Sequence, residues 1–222
     1  MQETLNLATE TARLCCLVDI GNRAFMEKVL KWAWVAHEQT KQTRLSGAPY
    51  IIHPIRVAHL LIEWGISDHE ILAAGVLHDT VEDTTLLIEE IECLSPRVAD
   101  LVHHLTKYRA GTKTATWKDA PFFFDPKQLE TRPERERLYH DWLALGPDDC
   151  LIVKCADRVD NLRDMEGSGW TPRKKLSYAD EGRSILRLAS ERLGTSHAAA
   201  RGLDMQIREV EKSVVTGQPR KL

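Results

Sequence analysis

Apolar side chains recur every three or four residues along almost the whole chain, and no stretch alternates apolar with polar. Such spacing gives each segment one buried helical stripe and supplies no half-buried strand. Phe25, Val29, Trp32 and Ala36 describe one stripe, and Ile55, Ala58, Leu61 and Ile62 a second. Pro54 suits the first turn of that second helix, and Gly65 its end. Ser67 and Glu70 have capping-box spacing ahead of Ile71, Ala74, Val76 and Leu77. Ser95-Pro96 opens a helix carrying Val98, Leu101, Val102 and Leu105, and Thr131 and Glu134 repeat the capping spacing before Leu138 and Trp142. Gly146-Pro147 breaks the chain. Ile152, Cys155, Ala156, Val159 and Leu162 then form a stripe that runs up to Gly167. Thr171-Pro172 starts a long helix ending near Gly194, and Leu203, Ile207, Val210 and Val214 mark the last. The expectation is an all-α chain, a single bundle of roughly nine or ten helices with one long loop.

That loop covers residues 106–130, holds Gly111, Pro121 and Pro126, and has little periodicity. Loops of this length are usually functional or mobile. Its Tyr108, Arg109, Lys113, Trp117 and Phe122 to Phe124 suit covering a bound base, and equally suit anchoring a surface insertion.

The chain has 222 residues, 43% of them hydrophobic and 28% charged, which excludes general disorder. Its net charge of −3 argues against a bulk nucleic-acid binder but leaves room for a local basic pocket that takes an anionic small molecule. No apolar run approaches the roughly 20 residues of a membrane helix, so no membrane partner is expected. The first residues lack the pattern of a secretory signal. Cys15, Cys16, Cys93, Cys150 and Cys155 are odd in number and form no CxxC pair, as in a reduced, cytoplasmic protein. Nothing in the sequence sets an oligomeric state.

Chemistry concentrates in LHDTVEDT, residues 77–84. His78 and Asp79 both offer atoms suited to a divalent cation. On a helix, Glu82 follows His78 and Asp83 follows Asp79 by one turn. Four ionisable groups beside the apolar run ILAAGVL are costly to bury without partners, and a metal ion would offset that cost. A solvated acidic helix end is the plainer alternative. Two further segments add donors. YIIHP sets His53 before Pro54, where a histidine also serves as a packing residue. KCADRVDN places Asp157 in a largely apolar stretch, with Asn161 and Asp164 on the same helical face. Asp157 paired with Lys154 or Arg158 is the alternative there. Two imidazoles and two carboxylates suit Mn²⁺, Fe²⁺ or Zn²⁺ and leave positions open for water.

Taken in order, AHEQTKQTRLSGAPYIIHPIRVA, AAGVLHDTVEDT, HLTK and VKCADRVDNLRD resemble the HD-domain hydrolases of the RelA/SpoT type, and among them the stand-alone small alarmone hydrolases. The resemblance covers about residues 25 to 195 and implies a single all-helical HD domain, with the synthetase domain of the long members lacking. The boundaries that follow are an N-terminal extension or first helix over 1–20, the hydrolase domain over 21–195, and a C-terminal helix with a frayed tail over 196–222. The resemblance implies a Mn²⁺-dependent guanosine-3′,5′-bis(diphosphate) 3′-pyrophosphohydrolase, which removes the 3′-pyrophosphate of (p)ppGpp to give GDP or GTP plus pyrophosphate. It implies His53, His78, Asp79 and Asp157 as ligands of one metal ion, with Fe²⁺ or Zn²⁺ as substitutes. Glu82 and Asp83 match the acidic pair serving the water and the leaving oxygen. Arg44, Ser46, Tyr50 and Asn161 match substrate contacts. Lys41, Arg56, Lys154, Arg158 and Arg163 are the nearest further cations for the phosphates. Leu45 and Asp160 depart from the family pattern, one lacking a positive charge and the other adding a negative one. They direct attention to adenosine alarmones such as ppApp, or to other nucleotides carrying a 3′-phosphate. A catalytically silent module that binds a nucleotide or partner would fit loss of the acidic pair, but Glu82 and Asp83 are both present.

Overall fold

The computed structural model of the chain describes residues 7–107, 132–166 and 168–217. Within these residues the architecture is all-helical. In order come α1 (Leu7–Leu17), a 3-10 turn (Ile20–Asn22), α2 (Arg23–Thr40), α3 (Ile52–Glu63), α4 (His69–Leu77), α5 (Thr80–Asp83) and α6 (Ile88–Leu94). Then follow α7 (Pro96–Leu105), α8 (Arg132–Leu145), α9 (Asp148–Asp164), α10 (Pro172–Leu193) and α11 (Ala198–Thr216). Among the described residues the sole β-type pairing is an isolated bridge between Thr43 and Pro49. No described helix is long and apolar enough to cross a membrane.

Most of the expected punctuation is present. Ser95 caps α7 by accepting from the Val98 amide, and Thr171 caps α10 by accepting from Lys174. Gly65 and Gly194 take φ of +87° and +90° just past α3 and α10, a conformation glycine adopts without penalty. One cap moves. Asp68, not Ser67, accepts from the amides of Glu70 and Ile71, so α4 starts one residue later than the spacing predicts. The α2 stripe also shifts: Met26, Val29, Leu30, Ala33, Ala36 and His37 are buried, while Phe25 and Trp32 sit half-buried at its margin. The aromatic residues expected to cover a base, Tyr108 to Phe124, lie outside the described residues, as does the Thr131–Glu134 cap.

The site depends on α9. This helix packs against α3, α4, α7, α10 and α11, so it is enclosed nearly all round. Residues Cys150 to Asp160 are buried without interruption, and they include Lys154, Asp157, Arg158 and Asp160. Charged groups at such depth persist only when paired, so the bundle presents them to one another in a shared polar seam.

Candidate metal centre and active site

Four elements bring their polar residues to that seam. His53 comes from the first turn of α3 and is fully buried. His78 and Asp79 come from the break between α4 and α5. The break has a local cause, since Thr80 Oγ1 donates to the Leu77 carbonyl. Such side-chain bonds compete with helix continuation. The HDTVED segment is thus not one helix, and the break turns His78 and Asp79 toward one point. Asp157 comes from the middle of α9.

Their donor atoms converge. His53 Nε2 lies 3.3 Å from His78 Nε2, 3.2 Å from Asp157 Oδ1 and 3.5 Å from Asp79 Oδ2. His78 Nε2 is 3.1 Å from Asp79 Oδ2 and 3.6 Å from Asp157 Oδ1. One ligand atom from each of the four residues fits within a span of 4.8 Å. Neighbouring donors around an ion bound at about 2.1 Å stand at such separations. His78 Nδ1 meets the Gly75 carbonyl at 2.8 Å and His53 Nδ1 meets Asp160 at 2.7 Å, which turns both Nε2 atoms inward. The electrostatics agree with a place for positive charge. Burial lowers the basicity of His53, but its hydrogen bonds to Asp157, Asp160 and Asp79 outweigh that and push it up to about 10. Burial likewise opposes ionisation of Asp157, yet Lys154 and the two histidines hold its carboxyl well below the usual range. Lys154 Nζ does sit 2.7 Å from Asp157 Oδ2, so the ion pair and the facing histidines coexist.

The other predicted residues surround this cluster. Burial, reinforced by the charge of Asp79, pushes the Glu82 carboxyl up to about 7, and Glu82 accepts the Lys107 amide at 3.0 Å. Asp83 accepts from Gln42 Nε2 at 3.1 Å. Tyr50 donates its hydroxyl to Asp79 at 2.5 Å. Arg44 is buried, with Nη1 donating to Asn161 and Nη2 to Asp160. Glu82, Asp83, Tyr50, Arg44 and Asn161 line one cavity of about 450 Å³, together with Lys154 and Arg158. Ser46 is exposed, near the tip of the turn that carries Arg44, and is absent from the wall. Lys41 and Arg56 are exposed and off the wall, and Arg163 turns away to Gln206 on α11.

The cavity wall also holds groups that motif reading left without a role. Lys107 reaches both carboxylate oxygens of Glu136 on α8, and Trp170 and Tyr178 supply aromatic faces. The Arg158 guanidinium stacks on Tyr178, 4.4 Å from the ring centroid. Lys107 ends the HLTK motif, but no spacing links it to Glu136, Trp170 and Tyr178, which meet it only when α8 packs on α7 and α10, and α10 on α9.

Residues 30–196 match the family described as HD domain. The chain belongs to the HD-domain family, in the branch that contains the RelA/SpoT-type hydrolases. It is 34% identical over 159 residues to the guanosine-3′,5′-bis(diphosphate) 3′-pyrophosphohydrolase MESH1 of Drosophila melanogaster, covering 69% of this chain and 78% of that one. A probable guanosine-3′,5′-bis(diphosphate) 3′-pyrophosphohydrolase of Synechocystis is 36% identical over 165 residues, 73% of this chain. The match spans only 19% of that longer relative. A solved structure of a metazoan ortholog of SpoT that hydrolyzes ppGpp superposes with a TM-score of 0.64 at 29% identity, covering 83% of this chain and 94% of the other.

Proposed function

We propose that the chain is a metal-dependent pyrophosphohydrolase that removes the 3′-pyrophosphate of (p)ppGpp, giving GDP or GTP plus pyrophosphate. The observation that carries this reading is the convergence of four donor atoms, two of them from Asp79 and Asp157 on the wall of the cation-bearing cavity that Glu82 and Asp83 also line. His53, His78, Asp79 and Asp157 would hold the ion, with Mn²⁺ first and Fe²⁺ or Zn²⁺ as substitutes. A divalent ion there supplies Lewis acidity, which acidifies a water and offsets phosphate charge.

The remaining work falls to the side chains. Water adds across the phosphoester bond at C3′, its oxygen going to phosphorus and a proton to the departing 3′ oxygen. Glu82, whose carboxyl changes charge near neutral pH, takes the proton from the water. Asp83, held by Gln42, serves the departing oxygen. Lys154 and Arg158 stand on the same wall and attract the pyrophosphate. Arg44, Tyr50 and Asn161 shape the nucleotide side, where Trp170 and Tyr178 offer stacking faces. Ser46 takes no part in this assignment. The reading places the chain in the cytoplasm with no nucleic-acid partner.

One observation favours a second substrate. Asp160 and Asn161 engage the Arg44 guanidinium, and the next residue is Leu45, so on the cavity wall this turn offers a 5′-pyrophosphate only an arginine that is already paired. This favours a nucleotide less charged at its 5′ end; ppApp carries the same 5′-pyrophosphate as ppGpp, differs from it in the base, and is the adenosine alternative to be tested beside it. The test offers purified protein ppGpp and ppApp separately with Mn²⁺, beside a chelated control. Chelator-sensitive release of pyrophosphate from either compound supports the reaction and ranks the bases. No release from either, with Mn²⁺ demonstrably bound, removes the reading.

A further inference from the structure

One carboxylate stands behind the candidate ligands rather than among them. Asp160 lies on α9 one turn after Asp157, and only 2% of it is exposed. Its Oδ2 is 2.7 Å from His53 Nδ1 and 3.0 Å from Arg44 Nη2. The same guanidinium donates through Nη1 to Asn161 Oδ1 at 2.8 Å, and Asn161 Nδ2 donates on to Asp157 Oδ1 at 2.5 Å. Arg44 Nε lies 3.5 Å from Asp164, which also accepts the Leu45 amide. Positions 157, 160, 161 and 164 share one face of α9. That face therefore grips the turn carrying Arg44, and the grip extends to both His53 and Asp157. An imidazole donating Nδ1–H to a carboxylate is fixed in tautomer and ring orientation, with Nε2 left as the ligand atom. A buried carboxylate is costly unless its oxygens are engaged, and the hydrogen bonds to Asp160 come from His53 and Arg44.

We infer that Asp160 is a positioning residue of the metal centre: it holds His53 with Nε2 aimed at the shared point and, through Arg44, ties that orientation to the turn forming the nucleotide wall. The inference rests on the reading of His53, His78, Asp79 and Asp157 as metal ligands. Arg44 is then part of the frame, and metal retention is coupled to nucleotide binding through the Arg44–Asp160 salt bridge, beside the Arg44–Asn161–Asp157 chain.

The experiment uses the full chain and the metal alone as its first probe. Calorimetry with Mn²⁺ should show Asp160→Ala binding about 10–100-fold more weakly than the parent. Asp160→Asn keeps an acceptor for the His53 Nδ1 proton and drops the charge facing Arg44. It should retain most of the metal affinity and raise KM with little change in kcat. In the Zn²⁺-loaded parent, the His53 Nδ1 proton should appear as a slowly exchanging signal downfield of the amides, persist in Asp160→Asn and vanish in Asp160→Ala. If Asp160→Ala does not fold, the parent spectrum and the Asp160→Asn variant still decide. Absence of that proton from the loaded parent overturns the inference. So does Asp160→Ala with undiminished Mn²⁺ affinity, or Asp160→Asn with unchanged KM. A parent that binds Mn²⁺ and shows the proton, yet turns over no alarmone, supports the positioning role and removes only the proposed substrate.

Discussion

Asp79 uses one oxygen for three neighbours, the two imidazoles and the Tyr50 hydroxyl. Burial opposes its ionisation, but the adjacent His78 and His53 hold its carboxyl well below the usual range. Asp79→Ala is therefore expected to lose both bound Mn²⁺ and turnover, as read by metal analysis after dialysis and by product release. Full activity in that variant would contradict the ligand assignment. Glu82→Gln keeps the shape and removes the base. It should keep its metal while kcat falls about 10²–10⁴-fold, the usual worth of a placed general base. Metal loss in that variant would instead make Glu82 a ligand. His37 tests the pH dependence of stability. It is buried against the Tyr50 ring, and burial pulls its pKa down to about 4. Between that value and the ordinary value of about 6.5 the unfolded chain binds the extra proton, so this contribution to stability falls with acidification. Going from about pH 7 to about pH 5 should cost about 2 kcal/mol through His37. Urea unfolding of the parent and His37→Leu at both values measures it, and equal losses in the two would discount the histidine.

Among the elements, α9 shows what periodicity can and cannot convey. Its apolar stripe from Ile152 to Leu162 is buried as the spacing predicts. The spacing also puts Asp157, Asn161 and Asp164 on one face, and the structure turns that face to the Arg44 turn. What it could not convey is that Lys154, Arg158 and Asp160 are buried too, because enclosure by five other helices is a tertiary property. The run His78 to Asp83 reads as continuous helix for a similar reason. Helical spacing survives the break, whereas the Thr80 hydroxyl bond that helps cause it leaves no periodic trace. Packing of α11 gives a stability test. A Cβ on Gly202 would stand 2.6 Å from Cζ2 of the Trp64 ring, which follows α3. A rigid ring cannot yield as a flexible chain end does, so Gly202→Ala should destabilise the fold by about 1–3 kcal/mol. Denaturant unfolding reads this directly, and an unchanged midpoint would mean that α11 shifts freely on α3.

For the whole molecule, the fold class was legible because helical periodicity has a short-range physical cause, and the four donors were legible as residue types within their motifs. His53 and Asp157 stand far apart in the chain, and only their motif contexts linked them before the structure brought their atoms within reach. The rest of the pocket was not legible. Lys107 was visible only as the end of the HLTK motif, and Glu136, Trp170 and Tyr178 join it only through the packing of α8 on α7 and α10, and of α10 on α9. Asp160 stood out in the sequence only as an added negative charge, and its partners His53 and Arg44 supply the reason for it. The central claim is that this cavity cleaves a phosphoester at C3′ with a metal ion held by those donors. The most direct measurement is phosphorus NMR of the chelator-quenched products after incubation of ppGpp with the Mn²⁺-loaded protein. The expected result is pyrophosphate and GDP in equal amounts, abolished by prior chelation. Orthophosphate as the phosphorus product, or turnover that survives removal of the metal, would contradict it.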